Sequence, residues 1–122
     1  MQAAVTGILD AEGELCCCAL TLDEFAFSAR SPAKHEEGSR RLRTSFLYLP
    51  ATPVTDQIVI DMRAALWRAG KGGAAGVIDV AIAALALASN AVVLHYDRDF
   101  DHISDVYPDS QTRWVVPRGT TD

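Results

Sequence analysis

Two short runs of almost unbroken apolar residues, 15–20 and 91–96, stand in a chain whose other apolar positions recur mostly at three- to four-residue spacing. A run of that length reads as a strand buried on both faces, and three-to-four spacing reads as a helix with one buried face. Ile58, Met62, Ala65, Leu66 and Ala69 thus predict a helix over 55–69, which Gly70, Lys71, Gly72 and Gly73 stop. Residues 78–89 are apolar almost all round and predict a central helix. At the start of the chain, Val5, Ile8 and Leu9 fall on one side of a helical segment over 2–11 that ends at Gly13. Thr21, Leu22, Asp23 and Glu24 open a helix reaching Ser31 before Pro32, with Thr21 as cap and Glu24 reaching back in a capping box. Residues 34–45 predict a charged helix or hairpin segment broken at Gly38, 46–49 a short strand, 97–106 a turn or short helix, and 113–116 the last strand. Strands alternating with helical segments predict an α/β fold with a parallel sheet covered on both faces.

The 122 residues suit a single domain spanning 1–122, and 49% hydrophobic against 22% charged residues is the balance of a packed globular chain. The formal charge of -5 supplies no protein-wide field for polyanions, so nucleic acid would need a local arginine surface or metal ions. The longest nearly apolar stretch, 80–88, is about half of what a bilayer requires. Asp10, Glu12 and Glu14 contradict a signal or transit segment, so no membrane and a cytoplasmic location are expected. Cys16, Cys17 and Cys18 are consecutive, a spacing that suits neither a disulfide framework nor a zinc site, and they read as a buried strand with inert thiols.

Candidate chemistry gathers where a parallel sheet binds ligands, outside the carboxyl ends of its strands. Glu24 follows the cysteine strand, Asp79 opens the buried helix, and Asp97 and Asp99 follow the strand over 91–96. Each has a structural alternative: a capping box for Glu24, a helix-dipole partner for Asp79, a solvated turn for Asp97 and Asp99. None of these alternatives accounts for all four falling on one edge. Carboxylates brought together repel unless a cation lies between them, which suggests Mg²⁺ or Mn²⁺. Gly70-Lys71-Gly72 lacks the Ser or Thr of a phosphate-binding loop and follows a helix. His95 and His102 are weak zinc candidates, and Trp67 and Trp114 read as packing residues.

The stretch Gly76-Val77-Ile78-Asp79 through Ala86, followed by Val92-Val93-Leu94-His95-Tyr96-Asp97-Arg98-Asp99-Phe100, resembles the PIN-domain ribonucleases, specifically the VapC toxins of toxin–antitoxin pairs. The segments Glu24 to Pro32 and Trp114 to Gly119, including Arg118, share the resemblance, which covers essentially the whole chain. It implies a three-layer α/β/α fold and a Mg²⁺- or Mn²⁺-dependent endoribonuclease toxin. Glu24, Asp79 and Asp97 match its metal-binding acids, with Asp99 as accessory; a VapB-like antitoxin and a homodimer are the implied partners. Arg40, Arg41, Arg43 and Arg98 are candidate phosphate contacts. In this family a first, central strand ends in Asp followed by Ser or Thr, and the present chain is expected to begin after it; Asp10, followed by Ala11, is no replacement. Without that strand two neighbouring strands would keep open edges, and the chain could be an inactive remnant that only binds antitoxin. Gly76 stands where relatives often have a capping Ser. A phosphoacceptor receiver domain also gathers aspartates at strand ends, but it needs a lysine after a late strand, and only Lys34 and Lys71 are present.

Overall fold

The structure, a computed structural model, describes residues 5–95 and 97–115. The elements run β1 (Val5–Leu9), β2 (Leu15–Cys17), α1 (Ala19–Ser28), α2 (Pro32–Ser45), β3 (Leu47–Tyr48), α3 (Pro53–Arg68), α4 (Val77–Ala88), β4 (Val92–His95), α5 (Arg98–Val106) and β5 (Thr112–Trp114). The strands form one sheet in the order β3-β2-β1-β4-β5. β2 is parallel to β3 and β4 to β5, while β1 lies antiparallel to both β2 and β4. Four strands therefore share one direction and the central one opposes them.

This corrects two expectations. The segment read as helical over 2–11 is, from Val5 to Leu9, a strand, and the sheet is mixed rather than wholly parallel. Three-to-four spacing of Val5, Ile8 and Leu9 is a local signal, whereas the slot between β2 and β4 offers backbone partners on both sides. Ile8 pairs with Cys16 on one side and Val93 on the other, and its side chain is fully buried. The edges expected to stand open are thus joined through β1. Its hairpin is closed by Asp10, whose Oδ1 accepts from the N–H groups of Glu12 (2.9 Å) and Glu14 (2.8 Å), and by Gly13 at φ 82°. Residues 2–4 of the predicted helix, the predicted strand ends at Tyr96 and Val116, and Arg118 lie outside the described residues.

The remaining elements follow the expected order with shifted ends. Residues 34–45 belong to one continuous helix, α2, capped by Ser31, whose side chain accepts from the Lys34 N–H. Gly38 does not break it: the Phe25 ring of α1 occupies the space a side chain there would need. β2 places Cys16 and Cys17 in the interior, so both faces of the strand are covered, and all three cysteines are free thiols. Burial pushes the Cys16 and Cys17 thiols up, which keeps them protonated and unreactive. The core joins Ile8, Met62, Leu66, Val80, Ile82, Leu85, Val93, Phe100 and Ile103. α4 supplies more of it than any other element because nearly all of its faces are apolar. Among the described residues no helix is long and apolar enough to cross a membrane.

Ile8 is the test of the central strand. Ile8→Ala should lower the unfolding free energy by about 3 kcal/mol in urea titrations, the usual cost of emptying a buried aliphatic site. Leu15→Ala on the neighbouring strand, where the side chain is 45% exposed, should cost less than about 1 kcal/mol. Equal effects at the two positions would mean that β1 is not packed inside the sheet.

Candidate metal centre

The topology sends β2 and β4 to the same edge of the sheet, and each leaves it into a helix. On that edge α1 begins after Cys17 and α5 after His95. Asp97 is the N-cap of α5, with its Oδ1 accepting the Asp99 N–H at 2.9 Å. The solvated-turn alternative is therefore half right: Asp97 caps a helix, and the cap aims the chain so that Asp99 follows in the first turn. Asp79 lies in the first turn of α4, and the Gly76 N–H at that helix's N-cap donates to Asp99 Oδ2 at 3.3 Å. This hydrogen bond ties the start of α4 to the start of α5. Arg63 of α3 holds the preceding loop from the other side, its Nη1 donating to the carbonyls of Gly72 (2.7 Å) and Ala75 (2.9 Å).

Carboxylate oxygens of Asp79, Asp97 and Asp99 all lie within 4.8 Å of one another, with Asp79 buried and the other two half-buried. Among the described residues no lysine or arginine forms an ion pair with them. The Asp79 carboxyl is pushed up to about 7, first by burial, then by its hydrogen bond with Asp99 and by the charges of Asp97, Asp99 and Glu24. A bare cluster thus keeps a proton near neutrality where a cation would replace it. Three converging oxygens, one of them on a buried carboxyl that holds its proton more tightly than usual, fit a hard divalent ion that prefers oxygen ligands.

Glu24 belongs to this field without being one of the three. It is half-buried on α1, and its charge acts on Asp79. The capping box expected for it lies elsewhere: α1 begins at Ala19, Cys18 is the N-cap, and the Cys18 N–H donates to Thr21 Oγ1 at 2.9 Å. β2 pairs with its neighbours only through Cys17, so the chain turns into the helix earlier than the apolar run implied, and Glu24 falls more than a turn inside it. Asp10 is at the far edge, since Leu9 pairs with Val92 at the start of β4 while Val5 pairs with His95 at its end.

The arginines divide. Arg98 is the first residue of α5, exposed beside Asp97. Arg40, Arg41 and Arg43 are exposed on α2, where Arg41 pairs with Glu37 at 3.5 Å and Arg43 lies over the Tyr48 ring. Among the described residues no ion pair joins them to the cluster. Trp114 is a packing residue, its Nε1–H donating to both Asp101 oxygens at 3.0 and 3.1 Å. The Trp67 ring covers Gly72 but stays 69% exposed, so it is less buried than expected. Two contributors escaped the residue pattern. Gly76 acts through its backbone N–H, which no side-chain motif signals; His95, inside an apolar strand, accepts the Asp97 N–H on Nδ1 at 3.1 Å. A histidine two residues before an acidic turn was the available hint.

The PIN domain family profile matches residues 2–106. Ribonuclease VapC21 of Mycobacterium tuberculosis, from strains CDC 1551 / Oshkosh and ATCC 25618 / H37Rv, is 31% identical over 108 residues, covering 88% of this chain and 78% of the relative. Ribonuclease VapC18 of strain ATCC 25618 / H37Rv is 41% identical over 44 residues, or 36% of this chain and 31% of that protein.

The raised Asp79 carboxyl makes stability depend on pH. Between its ordinary value of 3.8 and about 7, the folded chain binds a proton that the unfolded chain lacks, so stability falls as pH rises across that interval. Asp79→Asn removes the penalty. In metal-free buffer it should raise the melting temperature near pH 8 and change little near pH 4. A variant no more stable than wild type near pH 8 would contradict this account of the cluster.

Proposed function

This chain belongs to the PIN domain family, and we propose that it is a metal-dependent endoribonuclease of the VapC type that hydrolyses RNA phosphodiester bonds. The observation that carries the reading is the convergence of Asp79, Asp97 and Asp99 within 4.8 Å at the carboxyl edge of the sheet. The names of the matched relatives, Ribonuclease VapC21 and Ribonuclease VapC18, supply the substrate class.

In this reading Asp79, Asp97 and Asp99 hold Mg²⁺ or Mn²⁺, and Glu24 adds negative charge from α1. A divalent ion bound there supplies an activated water and charge stabilisation at the phosphate and the leaving oxygen. The chain's own part is to keep three carboxylates oriented at the ends of two anchored helices. Asp97 is fixed by the α5 cap and Asp99 by the Gly76 N–H, and Asp79 would hold the ion as its carboxylate. Arg98, next to the cluster, is the first candidate for a phosphate contact, and Arg40, Arg41 and Arg43 would engage RNA farther along the surface. A net charge of -5 makes such local contacts necessary.

The family reading also brings a VapB-like antitoxin and a second copy of the chain as partners. Exposed Ile60 and Trp67 of α3 and Val77 at the start of α4 form an apolar surface suited to a protein contact. One observation favours a second reading, an inactive chain that only binds antitoxin. β1 runs against its neighbours, so the cluster edge receives the beginning of the central strand, not an Asp at its end.

Purified protein with Mn²⁺ or Mg²⁺ and single-stranded RNA should show cleavage that EDTA abolishes. Asp79→Asn and Asp97→Asn should each abolish it while the far-ultraviolet circular dichroism stays unchanged. Metal binding without cleavage would select the inactive reading. Cleavage that survives EDTA and both substitutions would remove the acidic cluster from the chemistry.

A further inference from the structure

Between the sheet and the cluster stands a buried polar group that the proposed chemistry does not use. His95 is the last residue of β4 and its side chain is fully buried. Its ring lies 4.9 Å from the Phe100 ring and 5.1 Å from the Trp114 ring, centroid to centroid. Nδ1 accepts the backbone N–H of Asp97 at 3.1 Å, while Nε2 has no partner among the described residues. A histidine in so apolar a place is a poor choice for packing alone, because a leucine would fill the space without an unpaired polar atom. The Nδ1 bond is what the imidazole adds.

We infer that His95 is a positioning residue: by accepting the Asp97 N–H on Nδ1 it fixes the N-cap of α5, which brings the Asp97 and Asp99 carboxylates onto Asp79. The inference rests on the reading of the cluster as a divalent-cation site. An N–H donor at Nδ1 requires a lone pair there, so the ring is neutral with its proton on Nε2. Burial favours that neutral form, with the charges of Asp101 and Asp97 working against it. The ring is held in place from two elements. Phe100 comes from α5, and Trp114 comes from β5, locked by its two hydrogen bonds to Asp101. The His95 carbonyl accepts the Val115 N–H at 2.8 Å, so backbone and ring are both anchored. From this fixed point the Asp97 N–H is directed inward and its carboxylate is left to cap α5. Partners that orient a ligand without touching the ion commonly change metal affinity by about 10- to 100-fold when removed.

The test is Mn²⁺ binding to the full chain near pH 8, read by electron paramagnetic resonance, with thermal melts alongside. His95→Leu fills the volume and deletes the acceptor; His95→Asn places a carbonyl oxygen close to the position of Nδ1. His95→Leu should weaken Mn²⁺ binding by about 10- to 100-fold, and His95→Asn should restore affinity to within about threefold of wild type although it packs less well than leucine. A purely structural role predicts the reverse order, with affinity following the melting temperature. If His95→Leu fails to fold, His95→Gln replaces it, since its amide reaches toward Nε2 and leaves the Asp97 N–H unpaired. Wild-type affinity in the acceptor-less variant, or affinity in His95→Asn no better than in it, overturns the inference while the metal reading stands. A wild-type chain that binds no Mn²⁺ overturns the metal reading and this inference with it.

Discussion

Like charges at close range govern this molecule. Three carboxylates with oxygens within 4.8 Å, one of them buried, oppose folding in the absence of a cation. The chain meets that opposition with anchors that do not depend on the carboxylates' charge. Asp79 rides on the most apolar helix, α4, whose burial would hold it in place even if the carboxyl were neutral. Asp97 is bound into the cap of α5, and Asp99 is tied back to the Gly76 N–H. Arg63 fastens the loop that leads into α4. Each anchor belongs to a different part of the fold, so the repulsion is resisted by the core as a whole and is available to be relieved by a cation.

The central strand joins the two halves of the sheet without supplying an acid to the site. β1 is antiparallel to both its neighbours, and its Ile8 is the fully buried residue that joins the two halves of the sheet. Because β2 and β4 remain parallel to each other, their carboxyl ends still coincide, and Glu24, Asp97 and Asp99 follow from that coincidence. The orientation of β1 also moves Asp10 to the opposite edge, where its carboxylate closes a hairpin instead of joining the cluster. A reversed strand can thus complete the sheet while contributing no acid to the site.

Much of the arrangement was legible in the residues. The buried helix over 78–89, the strand that the structure describes as Val92–His95, and the acidic turn after it come from apolar runs and strand-end logic, and the structure brings Asp79, Asp97 and Asp99 together. The failures share one cause, tertiary partners overriding local signals. Val5, Ile8 and Leu9 have helical spacing, yet two open backbone edges draw them into a strand. Thr21 and Glu24 have capping-box spacing, yet the sheet releases the chain at Cys17 and starts the helix early. Gly38 suggests a break, yet it is the place where Phe25 packs. Asp99 was assigned a supporting part, and its carboxylate is one of the three that converge within 4.8 Å. Backbone donors such as the Gly76 N–H carry no signature in the sequence at all.

The central claim is that a divalent cation takes the place of a proton in the cluster. Counting protons tests it directly: calorimetric titration of Mn²⁺ into the metal-free chain, repeated in buffers of different ionisation enthalpy, gives the number released on binding. With the Asp79 carboxyl at about 7, binding near pH 6 should release close to one proton, and binding near pH 8 should release few and be tighter. Binding that releases no proton near pH 6, or no binding near pH 8, would contradict the account.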